Sequence, residues 1–126
     1  MGQFYSYNPN PRRASVGDCA VRAVAKALDI GWYESFALLA AEALEQCDLP
    51  SANNVFGAVL RKHGFQRENI PNECPDCYSV ADFIREHPVG TYVVVLKNHV
   101  ATVQDGALYD TWNSLDEIIL YFWRAK

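Results

Sequence analysis

Asn98-His99-Val100-Ala101-Thr102-Val103-Gln104-Asp105-Gly106-Ala107-Leu108-Tyr109-Asp110-Thr111-Trp112 decides how this chain folds. Asp105-Gly106 is a strong signal for a two-residue type I′ turn, in which both residues take positive φ. With those two residues as the loop, Gln104 faces Ala107, Ala101 faces Asp110 and His99 faces Trp112. Side chains alternate along a strand, so His99, Ala101, Asp110 and Trp112 fall on one face. His99 and Asp110 become diagonal neighbours, roughly 7–8 Å apart at the backbone, a gap that an aspartate spans to reach an imidazole nitrogen. Trp112 beside them is placed to shield that hydrogen bond from water. Asn113 faces away in this register and would orient the imidazole only if a bulge intervened.

Upstream of the hairpin, Thr91 to Leu96 is β-branched and aromatic with little alternation, the pattern of a central strand covered on both faces. Downstream, Ser114-x-x-Glu117 suggests a helix start, but the β-branched and aromatic run in Glu117 to Arg124 favours a short turn and then a strand. Before residue 88 the period is helical. A first helix is expected from about Gly17 to Ile30, with Asp18, Arg22, Lys26 and Asp29 as its polar stripe and Ser15 or Asp18 as its cap. A second runs from about Trp32 to Gln46, with Tyr33, Phe36, Ala37, Ala40, Ala43 and Leu44 as its apolar stripe and Cys47 at the end of it. A third starts after Asn53-Asn54 and stops at His63-Gly64. Ser79-x-x-Asp82 resembles a capping box and opens a short helix that Pro88 ends. Residues 65–78 read as irregular, and residues 1–14, with Asn8-Pro9-Asn10-Pro11, as an extended lead-in. Helices first and strands last give an α+β fold, with N-terminal helices packed on a C-terminal antiparallel sheet in a single domain over 1–126.

Cys19 stands in Gly17-Asp18-Cys19-Ala20, at the first turn of the first helix. A helix N-terminus offers free backbone N–H groups and positive partial charge, both of which favour a thiolate. Cys19, His99 and Asp110 therefore form a candidate triad: thiol nucleophile, base, and the carboxylate that fixes the tautomer of the base. The Asp18 carboxylate beside the thiol would oppose ionisation unless it turns away to cap the helix.

Half of the 126 residues are hydrophobic, enough for a real core, and the net charge is −4. No basic patch marks a nucleic-acid site, and no apolar run is long enough for a signal peptide or a membrane span. A cytoplasmic setting is the default, in which cysteines are free thiols or metal ligands rather than disulfides. Cys74-Pro75-Asp76-Cys77 is a single CxxC, open to a zinc site with Cys47, His63 or His87, to redox chemistry, or to a plain loop. His63 and His87 at helix C-termini have a sufficient structural role there. Trp32, Tyr33, Tyr92, Trp112, Phe122 and Trp123 are expected in or at the edge of the core.

Gly17-Asp18-Cys19 before a helix, then Asn98-His99-Val100, Asp105-Gly106 and Tyr109-Asp110-Thr111-Trp112, resembles the papain-like cysteine peptidase superfamily. The likeness is to its small bacterial and phage members and to the peptidase domains of bacteriocin exporters. Transglutaminase-like proteins share the same Cys, His, Asp order. The resemblance implies a papain-like fold, with Cys19 as nucleophile, His99 as base and Asp110 as orienting residue. It also implies cleavage of a peptide or amide bond in a peptide or protein substrate through a thioester, with no cofactor and no metal. Such families carry a glutamine about six residues before the cysteine to complete the oxyanion hole, and here that position is Arg13. Asn8, Asn10 and Ser15 are the substitutes nearby; a missing donor costs on the order of 10²–10³ in rate. Two other expectations stand beside the enzyme: a binding or adaptor module on the same fold with a vestigial triad, and a zinc-stabilised interaction domain built on Cys74 and Cys77.

Overall fold

The computed structural model describes residues 3–70 and 77–126. In chain order the elements are β1 (Gln3–Ser6), α1 (Cys19–Leu28), α2 (Trp32–Gln46), α3 (Asn53–Lys62), β2 (Phe65–Asn69), α4 (Val80–Glu86), β3 (Thr91–Leu96), β4 (His99–Gln104), β5 (Ala107–Asp110) and β6 (Ile119–Ala125). The strands form one sheet in the order β1-β5-β4-β3-β6-β2.

The hairpin forms in the register its turn demands. Gln104 pairs with Ala107, Val103 with Leu108 and Thr102 with Tyr109. Asp105 and Gly106 take φ of 49° and 81°, as type I′ requires. β3 lies at the centre, between β4 and β6, and its residues 92–96 are all buried. Alternation splits them: Val93 and Val95 enter a core beneath α1, α2 and α3, while Tyr92, Val94 and Leu96 enter a second core shared with α4. Ser79 and Asp82 close the capping box of α4 reciprocally.

The sheet is mixed rather than antiparallel, because β1 pairs in parallel with β5. The lead-in expected over 1–14 thus contributes an edge strand, held through Tyr5 against Tyr109 at 5.3 Å between ring centroids. The opposite edge is β2, in a stretch expected to be irregular; it pairs antiparallel with β6. Its sequence, Phe65-Gln66-Arg67-Glu68-Asn69, lacks an apolar alternation because an edge strand is only partly covered. Its polar side chains are used instead, Glu68 on Arg124 and Arg67 over the Tyr121 ring.

α1 is the central helix. Six consecutive residues, Ala20 to Ala25, are buried, so the expected polar stripe is half internal: Asp18 and Arg22 are 7% and 8% exposed. Alanine-rich faces let other backbones approach closely. Ser35 Oγ donates to Val21 O at 2.8 Å, and Thr102 Oγ1 donates to Ala23 O at 2.7 Å. The Ser35 bond turns toward α1 a face of α2 other than its expected stripe. Ser35, Leu39, Glu42 and Ala43 are buried, whereas Tyr33, Phe36 and Leu44 are exposed. Glu42 tolerates burial because Lys62 and Gln46 both donate to it. Cys47, expected on the buried stripe, is exposed and closes α2 in the left-handed conformation. Gly57 lets α3 settle on β6, since a Cβ there would stand 2.8 Å from Trp123 Cζ2. None of the described helices is long and apolar enough to cross a membrane.

Candidate active site

Three elements deliver the site. Cys19 is the first residue of α1. His99 opens β4 directly after the Lys97-Asn98 turn, where Leu96 pairs with His99 and Asn98 takes φ +57°. Asp110 closes β5.

His99 Nε2 donates to Asp110 Oδ2 at 2.6 Å, so the hairpin face expected to carry both does carry both. Asp110 is 2% exposed and fully engaged. Ser114 Oγ donates to Oδ2 at 2.8 Å, the Thr111 N–H donates to Oδ1 at 2.7 Å, and Arg22 Nη2 lies 3.7 Å from Oδ1. A carboxylate held this way cannot rotate, and it fixes both the tautomer and the plane of the imidazole. Asn113 is used elsewhere, its side-chain oxygen accepting from the Leu115 N–H.

With Nε2 committed to Asp110, the other ring nitrogen of His99 is left for the Cys19 thiol, which lines the same cleft. Burial pushes the thiol up. The His99 hydrogen bond and charge, the Val100 N–H and the Arg22 charge together outweigh it, and Cys19 lies below the ordinary thiol range. Burial pulls the His99 imidazolium down, but the Asp110 and Cys19 hydrogen bonds and charges overcome it and raise His99 to about 9. The two shifts point the same way: the site favours a proton on His99 and negative charge on Cys19 more than the free side chains would.

Asp18 neither caps α1 nor opposes that ionisation. Its side chain makes no cap hydrogen bond; Oδ1 pairs with Arg22 Nη1, and Oδ2 accepts from Trp32 Nε1 at 2.9 Å. Arg22 therefore stands between Asp18 and Asp110 and cancels much of the negative charge that Asp18 would project at the thiol. The first-turn amides of α1 are left without a side-chain cap.

A cleft of about 300 Å³ opens over the thiol, lined by Cys19, His99, Arg22 and Trp112 together with Asn8 and Ser15. Trp112 packs 5.0 Å from His99 between ring centroids but is 45% exposed, so it walls the cleft rather than sealing it. Arg13 lies outside this lining, exposed and at φ +54°.

The structure thus brings Cys19, His99 and Asp110 together. Arg22 and Ser114 complete the site and were not singled out for it from sequence. Arg22 carries one local signal, its i,i+4 spacing from Asp18. Ser114 carries none, because its partner is fixed by how the chain bends after β5.

The other candidate residues are elsewhere. His63 Nδ1 contacts Val59 O at 2.8 Å and His87 Nδ1 contacts Phe83 O at 2.9 Å, each closing its own helix. Cys74 lies outside the described residues; Cys77 is disulfide-bonded, unlike the free thiol expected of it. Among the described residues no group of three His, Cys, Asp or Glu side chains is placed to hold a metal ion. No family model, curated protein or solved structure matches this chain.

Proposed function

We propose that this protein is a papain-like cysteine hydrolase that cleaves a peptide or amide bond by acyl transfer to Cys19. The observation that carries the reading is the meeting of Cys19 and His99 in one cleft, with His99 hydrogen-bonded to the buried Asp110 carboxylate. A structural cysteine or histidine needs no such arrangement, whereas a thiol nucleophile uses a base to activate it and a third group to orient the base.

In the reaction the Cys19 thiolate attacks the carbonyl carbon. A C–S bond forms, and the π electrons of the carbonyl move to oxygen. As the oxyanion collapses, the C–N bond breaks and His99 gives its proton to the departing amine. His99, now neutral, takes a proton from water; the hydroxide adds to the thioester, and collapse releases the carboxylic acid with sulfur as leaving group. The thiolate and imidazolium are thereby restored. Asp110 holds the ring in place throughout and stabilises its protonated form. The cleft rim favours a slender acyl donor with apolar character near the scissile bond: Val16 and Trp112, 54% and 45% exposed, both line it.

The test uses p-nitrophenyl acetate as acyl donor. Acetyl is expected on Cys19 in peptide maps of the wild type, with a burst of p-nitrophenolate, and both are expected to vanish in Cys19→Ser while the exposed Cys47 labels slowly in each protein. Equal acetylation of Cys19 and Cys47 in the wild type would sink the proposal.

A further inference from the structure

The position six residues before the nucleophile, where an oxyanion donor is expected, holds Arg13, which does not reach the cleft. The geometry points to Asn8 as the side-chain donor that receives the oxyanion, working with the backbone N–H of Cys19. This inference rests on the acyl-transfer reading and adds to it a residue eleven positions before the nucleophile.

Asn8 lines the cleft with Cys19 and His99. It is half-buried, and its Oδ1 accepts from the Asn10 N–H at 3.1 Å. That bond settles which way the amide faces, because a backbone N–H needs an acceptor. The oxygen is taken, and Nδ2, a donor with no hydrogen-bond partner among the described residues, is the end left for the cleft. The segment is stiff where it must be. The Tyr7 N–H donates to Asp110 O at 2.8 Å, the Arg12 N–H donates to Asn10 Oδ1 at 2.9 Å, and Pro9 restricts Asn8 itself to extended backbone. A donor for an oxyanion must be in place before charge develops, so this fixing is what the role requires.

The other side chains do not meet that requirement. Asn10 is buried and does not line the cleft, and its Oδ1 is used by Arg12. Ser15 and Asn98 line the cleft but are exposed, and no side-chain hydrogen bond among the described residues fixes their orientation. Arg22 is committed to Asp18 and Asp110. On the nucleophile's side, α1 has no side-chain cap, which leaves the Cys19 N–H open to a carbonyl oxygen.

Asn8→Ala and Asn8→Asp test the assignment. Aspartate keeps the size of the side chain and the acceptor for the Asn10 N–H but removes the donor. Two rates are read at Cys19: acetylation by p-nitrophenyl acetate, which passes through an oxyanion, and alkylation by iodoacetamide, which does not. Their ratio cancels any change in thiolate population or in fold. The ratio is expected to fall about 100-fold in both variants relative to wild type, the loss typical of one oxyanion donor. Ratios within about two-fold of wild type, against that typical loss, would overturn the role of Asn8 while leaving acyl transfer intact. Absence of acetyl on wild-type Cys19, with alkylation still fast, would instead remove the acyl-transfer reading and the inference with it.

Discussion

Asp110→Ala is expected to destabilise the fold by about 3–5 kcal/mol, the cost typical of removing one partner from a buried ionic cluster. Asp110 is 2% exposed and accepts from His99, Ser114 and Thr111, with Arg22 close by. Alanine would leave the Ser114 hydroxyl, itself fully buried, without its acceptor, and would leave His99 without the carboxylate opposite Nε2. In thermal unfolding this corresponds to a drop of about 10–20 °C for a chain of this length. Asp110→Asn keeps the volume and an acceptor but not the charge, so its destabilisation is expected to be smaller. Its signature is in titration: the His99 pKa, followed by NMR of the imidazole protons, is expected to move down from its wild-type position near 9. An Asp110→Ala protein as stable as wild type would contradict the role of this carboxylate as the anchor of the site.

His99→Ala is expected to slow alkylation of Cys19 by iodoacetamide about 10- to 100-fold near pH 6.5, because a thiol without its base returns to or above the free-cysteine range. The sign follows from the causes of the Cys19 shift. Burial alone raises the thiol, and the His99 hydrogen bond and charge are the largest contributions that lower it. Without them, burial is opposed only by Val100 and Arg22. The difference between the two proteins is expected to close as pH rises through the ordinary thiol range, where both thiols ionise. Cys47, exposed and far along the chain, is the internal control and should alkylate alike in both. Stability follows the same logic. His99 is raised in the folded state, so its contribution is full below the ordinary imidazole pKa and fades as pH rises through about 9. Cys19 is lowered, so its contribution is full above the ordinary thiol pKa and fades as pH falls through its folded value.

The parts of this protein that were legible in sequence are those whose physics is local. Asp105-Gly106 sets a hairpin register by turn chemistry alone, and that register carries His99 and Asp110 to one face. Ser79 and Asp82 announce α4 because both halves of the capping box lie within one turn. The rest depends on partners far away in the chain. β1 and β2 are edge strands whose hydrogen bonds go to β5 and β6, so their own sequences carry little strand signal. The buried face of α2 is chosen by what can satisfy Ser35 and Glu42, namely Val21 O, Gln46 and Lys62. Hydrophobicity alone favours Tyr33 and Leu44, which the structure exposes. Asp18 beside the nucleophile reads as a liability until Arg22 and Trp32 are seen to hold it.

The pH dependence of acetyl transfer from p-nitrophenyl acetate to Cys19, followed by intact mass with peptide mapping, tests the central claim most directly. A Cys19 thiol lowered by its His99 partner predicts a rate that climbs and levels off below the ordinary thiol range. A rate that instead climbs through or above the ordinary thiol range would contradict it.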